Sequence, residues 1–139
     1  MSSAEIRKLQ PQGSPTPMGA YSHGVLVPLP GADILFVTGQ IALDSQGNVV
    51  APNDPKKQAE VVFENIGRIL AEGGLSFRDV VKAQVFLTSI KDFSVVSEVR
   101  NKYFAESRPV STLLEVPNLV RAGCCVEVEV IAVRLRSKH

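Results

Sequence analysis

Hydrophobic and polar residues alternate in short runs through the first third of the chain. Runs at 25–29 and 34–38 are rich in β-branched and aromatic residues, and Pro30-Gly31-Ala32-Asp33 separates them. This pattern predicts a β-hairpin. A short edge strand is predicted at 5–9, and the prolines and glycines over 10–20 predict an irregular loop after it.

The next pattern has the period of a helix. Asp54 is a suitable N-cap, Pro55 suits the first helical position, and Gly73-Gly74 is a stop signal. Between them, apolar residues recur at spacings of three and four: Ala59, Val62, Phe63, Ile66, Ile69 and Leu70. We therefore predict a helix that packs one face against a sheet.

The second half of the chain returns to mixed patterns. A capping signal over 76–79 predicts one helical turn, and strict alternation predicts a strand at 80–88. A second amphipathic helix is predicted at 92–104, and two further strands at 111–116 and 124–135. The order of these elements predicts an α+β fold in which two helices cover one face of a mixed sheet.

The opposite face of the sheet carries candidate chemistry. In the last strand, small apolar residues alternate with a mixed set that comprises Glu127, Glu129, Ile131 and Val133. Phe86 and Leu113 are predicted to join this mixed face. Such a face is too apolar to leave in water, yet its charges are too costly to seal in a core. The pattern therefore predicts a subunit interface lined by clefts, and hence a homo-oligomer.

Composition limits the function further. A chain of 139 residues is long enough for one domain, predicted to span 1–139. The net charge of +1 provides no field that would attract nucleic acid or an anionic membrane, and the basic stretch 134–139 is predicted to be a solvated tail. No apolar run approaches the roughly twenty residues of a membrane helix. A soluble, cytoplasmic protein without membrane or nucleic-acid partners is predicted.

Cysteine and histidine usage argues against a metal centre and a disulfide. Cys124 and Cys125 are adjacent, so they neither form a disulfide that cross-links distant parts of the fold nor supply spaced metal ligands. A reducing compartment is therefore predicted. A Cys–His nucleophile has no support, because His23 lies in a Ser-His-Gly loop with no link to either cysteine. The cysteines are predicted to be small buried hydrophobes, and His23 an exposed loop residue.

Glu127 and Glu129 are the strongest candidates for chemistry, because carboxylates within a Val-Ile strand need water, a donor or a partner chain. Two interpretations remain open. Either Glu127 acts in catalysis, or the glutamates form a structural pair across an interface with Arg100 or Arg134. Spacing alone favours the structural pair.

Tyr21 and Gly39 each have two interpretations as well. Tyr21, in a proline-bracketed loop, is either a binding-site phenol or an aromatic that plugs the sheet edge, and spacing favours the plug. Gly39 interrupts a strand between Thr38 and Gln40, which marks either a simple bulge or a close backbone approach to a ligand. The bulge alone is favoured.

Five segments, taken together, resemble the RidA (YjgF) family of small proteins. They are Gly19-Ala20-Tyr21-Ser22-His23-Gly24, Phe36-Val37-Thr38-Gly39-Gln40-Ile41, residues 58–66, Val81-Lys82-Ala83-Gln84-Val85-Phe86-Leu87, and residues 126–133. The resemblance runs from about residue 5 to residue 135. It implies a chorismate-mutase-like fold with a six-stranded sheet and two helices, assembled as a homotrimer with clefts between subunits.

The resemblance also implies an activity. Active members of the family hydrolyse reactive enamines and imines to 2-oxo acids and ammonia without a cofactor. Glu127 matches the glutamate that positions the attacking water, Tyr21 matches a cleft tyrosine, and Gly39 matches a glycine whose backbone touches the ligand. Phe86 is expected to line the same cleft.

Departures from the family pattern affect the substrate. The family's Pro-x-Arg-[Ser/Thr/Cys] clamp for the substrate carboxylate is Pro109-Val110-Ser111-Thr112 in this chain. Ser97 replaces a cleft asparagine, and Leu113 replaces a small polar or thiol residue. A serine cannot form the bidentate contact of an arginine, so the usual 2-imino acids are expected to bind poorly. Arg121 either replaces the clamp or faces solvent, and its position in a connecting loop favours solvent.

Two functional hypotheses result from this comparison. The leading one is a trimeric deaminase of a small enamine or imine other than the standard 2-imino acids, because Ser111 replaces the arginine clamp, and Glu127 orients the water. The alternative is a trimer that binds a small ligand or regulates a partner without turnover. A nuclease activity ranks third, because a net charge of +1 gives RNA little reason to bind.

Overall fold

The computed structural model describes residues 5–137 and contains the predicted elements in the predicted order. They are β1 (Arg7–Leu9), β2 (Gly24–Leu29), β3 (Ala32–Gln40), α1 (Pro55–Glu72), β4 (Val80–Leu87), α2 (Phe93–Tyr103), β5 (Val110–Glu115) and β6 (Val126–Leu135), with single 3-10 turns at Phe77–Asp79 and Ile90–Asp92. Both predicted helices and all predicted strands are confirmed, with small shifts at their ends. Within this part of the chain, no helix is long and apolar enough to span a bilayer.

The six strands form one mixed sheet in the order β1-β2-β3-β6-β4-β5. Its neighbouring strands run antiparallel, apart from the parallel pair β4–β5. β2 and β3 form the predicted hairpin, and Gly31 in its turn has a φ of 79°, a conformation that glycine adopts without strain. The predicted α+β fold is therefore confirmed.

Helix α1 begins and ends at the residues that its sequence signals indicate. The Asp54 carboxylate accepts a hydrogen bond from the backbone N–H of Lys57 at 3.0 Å, and Pro55 occupies the first turn. Gly74, just past the end, has a φ of 80°. The apolar stripe of the helix is fully buried against the sheet, which accounts for the position of α1.

An aromatic cluster joins the two helices on this face. The Phe63 ring of α1 stacks on Tyr103 of α2 at 4.9 Å and meets Phe104 edge-on at 5.4 Å. Phe93, at the start of α2, is 45% exposed and lies outside the cluster. The helices and the sheet thus enclose one core, and the face of the sheet that they cover is the helix-covered face. We call the opposite side the open face.

The C-terminal basic stretch is solvent-exposed over 134–137, as predicted, but it is not a free tail there. Arg134 belongs to β6, and Arg136 pairs with Asp33 and donates to the carbonyls of Leu29 and Ala32. The prediction of a tail was wrong because β6 continues alongside β3 and brings both arginines to a buried carboxylate. Residues 138 and 139 lie outside the described part of the chain.

Candidate functional site

Glu127 lies on the open face between β4 and the end of β3. It pairs with Phe86 of β4, and Phe86 in turn pairs with Leu114 of β5. Glu127 and Phe86 are both half-buried, and the residues on either side of Glu127, Val126 and Val128, face the core. The predicted alternation of β6 is therefore confirmed, and it leaves a carboxylate beside an aromatic ring.

A bulge in β3 makes room for this carboxylate. Val37 pairs with Val130 and Gln40 pairs with Val128, so β3 advances by three residues over a distance in which β6 advances by two. The extra residue places Gly39 directly against Glu127. A Cβ atom on Gly39 would lie 2.9 Å from Cδ of Glu127, so only glycine leaves the space that the carboxylate occupies. The predicted bulge is confirmed, and it is also a point of close approach.

The electrostatics of Glu127 suit proton transfer. Burial raises the pKa of its carboxyl, and the negative charge of nearby Glu129 raises that pKa further. Ion pairs within residues 5–137 all involve Asp33, so no lysine or arginine of that range neutralises Glu127. Arg134 is bonded to Gly74 and Asp33, and Arg100 to Asn101, so neither arginine pairs with a glutamate within this chain.

Tyr21 lies in the loop next to the bulge. The residue is 45% exposed, so within the chain it does not plug the sheet edge as spacing suggested. The backbone N–H of Met18 donates to the Tyr21 hydroxyl oxygen at 3.2 Å, which folds the loop around the ring. Tyr21 and Gly39 line the same small pocket. The structure therefore brings Tyr21, Gly39 and Glu127 into one neighbourhood.

His23 holds this loop onto the bulge. The prediction that it is exposed was wrong: the residue is 5% exposed, because the loop at Pro15 folds over it. Its Nε2 lies 2.6 Å from the Pro15 carbonyl oxygen, which requires a donor, so Nε2 carries the proton. Nδ1 then accepts from Nε2 of Gln40 at 3.3 Å. His23 is thereby a structural residue that positions the loop carrying Tyr21.

Ser97, Ser111 and Leu113 lie apart from the neighbourhood of Glu127, on the other side of the sheet or on α2. In the parallel pair β4–β5, Ser111 is level with Ala83 and Leu113 with Val85. Neighbours at one level of a sheet share a face, and Ala83 and Val85 face the core. Leu113 therefore lies on the helix-covered face, where it packs against the core, and the prediction that it joins Phe86 was wrong. Ser97 is buried on α2.

Arg121 does not stand in for the missing clamp within the chain. Its Nη1 donates to the Gly47 carbonyl oxygen at 2.9 Å, and the residue is half-buried. The side chain ties the loop before β6 to the turn around Gly47, so it is not simply a solvent-facing loop arginine either. The cysteines behave as predicted: Cys124 and Cys125 are buried, and burial raises the pKa of both thiols, which disfavours a reactive thiolate.

A second concave feature lies beside Ser111. An open pocket of about 600 Å³ is formed by the end of α2, the following loop and the start of β5, and it includes Arg100, Arg108 and Ser111. The sequence-based prediction missed Arg108, although its place directly before Pro109 and three residues before Ser111 was a usable signal. Among the described residues, no three His, Cys, Asp or Glu side chains are grouped as a metal site requires.

Comparison with known proteins identifies the class of molecule that this fold and site define. The sequence profile of the family described as Endoribonuclease L-PSP matches residues 11–134. A RutC family protein of Pyrococcus abyssi is 39% identical over 119 residues, which cover 86% of this chain and 90% of that protein. The 2-iminobutanoate/2-iminopropanoate deaminase of Capra hircus is 36% identical over 134 residues, covering 96% and 94%.

Solved structures agree with the sequence comparison. The crystal structure of Escherichia coli TdcF with bound serine has a TM-score of 0.79 and 32% identity, and the match covers 92% of this chain and 98% of that one. The chain belongs to the RidA (YjgF) family. The resemblance inferred from five sequence segments is therefore confirmed.

Proposed function

We propose that the protein is a hydrolytic deaminase of small reactive enamines or imines and that Glu127 orients and deprotonates the attacking water. The observation that carries this proposal is the half-buried Glu127 carboxylate held against Gly39, with a raised pKa and no cation of residues 5–137 paired to it. A carboxylate with increased proton affinity is a better general base near neutral pH. Relatives that carry the name 2-iminobutanoate/2-iminopropanoate deaminase support the same reaction class.

The proposed reaction needs little from the protein beyond positioning. Water adds through its oxygen to the C=N carbon, while its proton passes to the Glu127 carboxylate and the C=N electron pair moves to nitrogen, which takes up a proton. The amino nitrogen of the resulting carbinolamine takes up a further proton and leaves as ammonia, while the hydroxyl group loses its proton and the carbonyl product forms. An enamine first takes up a proton on carbon to become the imine. Because the imine carbon is already electrophilic, orientation of water and substrate supplies most of the catalysis.

We further propose that the working unit is a homotrimer with clefts between subunits. Support comes from the location of the candidate residues on two opposite faces of the sheet. Glu127 and Gly39 meet at the open face, whereas Ser111 and Leu113 lie on the helix-covered face of β5. One chain therefore holds two separate parts of a site, and a neighbouring subunit would have to supply the second part. The open face also exposes large apolar side chains, Phe36 among them at 45%, which a partner subunit would cover.

Ammonia release tests the proposed chemistry. An amine oxidase generates a panel of imines from amino acids and simple amines, and ammonia release above the spontaneous rate is measured for the wild type and for Glu127→Gln. The expected result is loss of the enzymatic rate in Glu127→Gln, because the amide cannot accept the proton. Glu129→Gln is the matched comparison, since it removes the same charge from the same strand; it should lower the rate only modestly, because burial, not Glu129, is the main cause of the raised Glu127 pKa. Equal rates for wild type and Glu127→Gln on every imine would remove Glu127 from the mechanism.

A second candidate function is a trimer that binds a small ligand or a partner without turnover. Ser111 in place of the family's arginine favours it, because a serine hydroxyl cannot neutralise a substrate carboxylate. The distinguishing measurement is the thermal midpoint in the presence of ligands or candidate partners. A protein that is stabilised by ligand but releases no ammonia from any imine would establish this function instead.

A further inference from the structure

Gln40, the last residue of β3, is a buried polar residue that the proposed mechanism does not use. It is 6% exposed and lines the small pocket that Tyr21 and Gly39 also line. Its Nε2 donates to the Thr38 carbonyl oxygen at 3.0 Å and to Nδ1 of His23 at 3.3 Å. An amide is costly to bury unless it is hydrogen-bonded, so these two contacts account for its place in the interior.

The first contact holds the bulge in β3. Regular pairing with β6 stops after Val37 and resumes at Gln40, and the bulge lies between them. Within the bulge, the Gln40 amide donates to the Thr38 carbonyl oxygen. Because the Thr38 carbonyl and the Gly39 nitrogen belong to one planar peptide group, this contact also fixes the orientation of the backbone at Gly39. The Glu127 carboxylate packs against that backbone.

The second contact holds the loop that carries Tyr21. His23 Nε2 donates to the Pro15 carbonyl oxygen at 2.6 Å, so Nδ1 of His23 is the acceptor for Gln40. Neither side chain can reverse without losing a contact. Reversal of the Gln40 amide would set its oxygen against the Thr38 carbonyl oxygen. The other tautomer of His23 would leave the Pro15 oxygen without this donor.

We propose that Gln40 is a positioning residue for the proposed reaction, because its one amide fixes both the bulge that receives Glu127 and the loop that carries Tyr21. The inference rests on the proposed function and deepens it, since it names the group that keeps the two sides of the candidate site in a fixed relation. Gln40→Met introduces a side chain of similar length that has no donor, so both contacts are lost. The bulge can then relax away from the Glu127 carboxylate, and the loop loses one of the hydrogen bonds that hold it to β3.

Fluorine NMR reports on the loop directly. The chain has two tyrosines, so protein labelled with fluorotyrosine gives two resonances, which Tyr21→Phe assigns. In Gln40→Met, the Tyr21 resonance should shift or broaden. The Tyr103 resonance should stay in place, because that ring stacks on Phe63 on the helix-covered face of the sheet. Carbon NMR titration should show a Glu127 pKa closer to its ordinary value in Gln40→Met, since a relaxed bulge opens the carboxyl to solvent.

Steady-state kinetics of ammonia release separate positioning from a loss of stability. With the imine that the wild type hydrolyses fastest, Gln40→Met should lower kcat at least about tenfold, because a displacement of about 1 Å costs roughly a hundredfold. KM should rise as well, since the Tyr21 ring leaves its wild-type position. Asp33→Asn, at the other end of β3, is the matched control. It removes ion pairs from the same strand but should leave kcat, KM and the fluorine spectrum unchanged.

Gln40→Asn provides a conservative comparison and keeps the test available if Gln40→Met fails to fold. Its amide is carried on a side chain that is shorter by one methylene group, so we expect it to lose one of the two contacts. The kcat of Gln40→Asn should therefore lie between those of wild type and Gln40→Met. Wild-type kcat, KM and fluorine spectrum in Gln40→Asn would contradict the positioning role.

Three further results would overturn the assignment. These are an unchanged Tyr21 resonance and Glu127 pKa in folded Gln40→Met, a change at only one of those two groups, and an equal loss of rate in Gln40→Met and Asp33→Asn. Failure here is distinguishable from failure of the proposed function. Changes at both groups without ammonia release from any imine would keep Gln40 as the residue that positions them and remove the deaminase. Ammonia release that is the same in wild type and Gln40→Met would do the reverse.

Discussion

Replacement of Gly39 by alanine tests whether the bulge in β3 exists to accommodate the Glu127 carboxylate. The added Cβ would lie 2.9 Å from Cδ of Glu127, whereas carbon atoms in ordinary contact are about 3.5 to 4 Å apart. The Oε2 atom of Glu127 would lie closer still to the added Cβ, so the carboxyl group must retreat by about 1 Å. A displacement of about 1 Å at a catalytic group costs on the order of a hundredfold in rate, so we expect that loss in ammonia release.

The effect on stability should be much smaller. Glu127 is half-buried, and its carboxyl end can swing toward solvent, so the added methyl group should cost about 1 kcal/mol, the low end of the range for overpacking. Gly31→Ala is the matched control. Gly31 has a φ of 79° in the β2–β3 turn with nothing within 4 Å of an added Cβ, so the same substitution strains the turn by about 1 kcal/mol without touching Glu127.

Two measurements test the close contact between Gly39 and Glu127 independently. Ammonia release should fall in Gly39→Ala and stay near wild type in Gly31→Ala, with similar thermal midpoints for the two variants. NMR titration should show a lower Glu127 pKa in Gly39→Ala, because a carboxyl pushed toward solvent loses the burial that raises it. In a double-mutant cycle, Gly39→Ala should cost nothing further once Glu127→Gln is present. An unchanged Glu127 pKa together with an unchanged rate would refute the close contact.

Three further predictions concern pH and stability. The pKa of Glu127 is higher in the folded chain than its ordinary value of 4.5, so between these two pKa values the folded chain binds more protons than the unfolded chain. The free energy of unfolding should therefore fall as the pH rises through that window. In urea unfolding at several pH values, Glu127→Gln should remove this dependence, and an unaltered profile would contradict it. Asp33→Asn should destabilise the protein by about 1 kcal/mol, a modest value because Arg134 and Arg136 are 45% and 41% exposed, and added salt should reduce the difference between wild type and variant. Gln58→Leu should lower the free energy of unfolding by about 2 to 4 kcal/mol, measured by chemical denaturation. Gln58 is fully buried; its Nε2 donates to the carbonyls of residues 50, 51 and 123, and its Oε1 accepts from the N–H of residue 125. A smaller loss would mean that water takes over these hydrogen bonds.

Local signals in the sequence were sufficient for much of the fold. Asp54, Pro55 and the Gly73-Gly74 pair defined α1, because capping and backbone freedom act within a few residues. Alternation in β6 correctly separated the core residues from Glu127. The same kind of evidence failed for Leu113 and His23. The face of Leu113 depends on its register with Val85 in another strand, and the burial of His23 depends on the distant Pro15.

The sequence by itself determined the family, the element order and the identity of the one glutamate with a candidate role in catalysis. Only the tertiary structure decided that Gly39 must be a glycine because Glu127 occupies its side-chain space. It also decided that Arg108, rather than Arg121, shares a pocket with Ser111. Both outcomes have one physical reason. Charge and steric contact act through space over a few ångströms, and strand pairing decides which distant segments come that close. The spacing of residues along the sequence does not reveal that pairing.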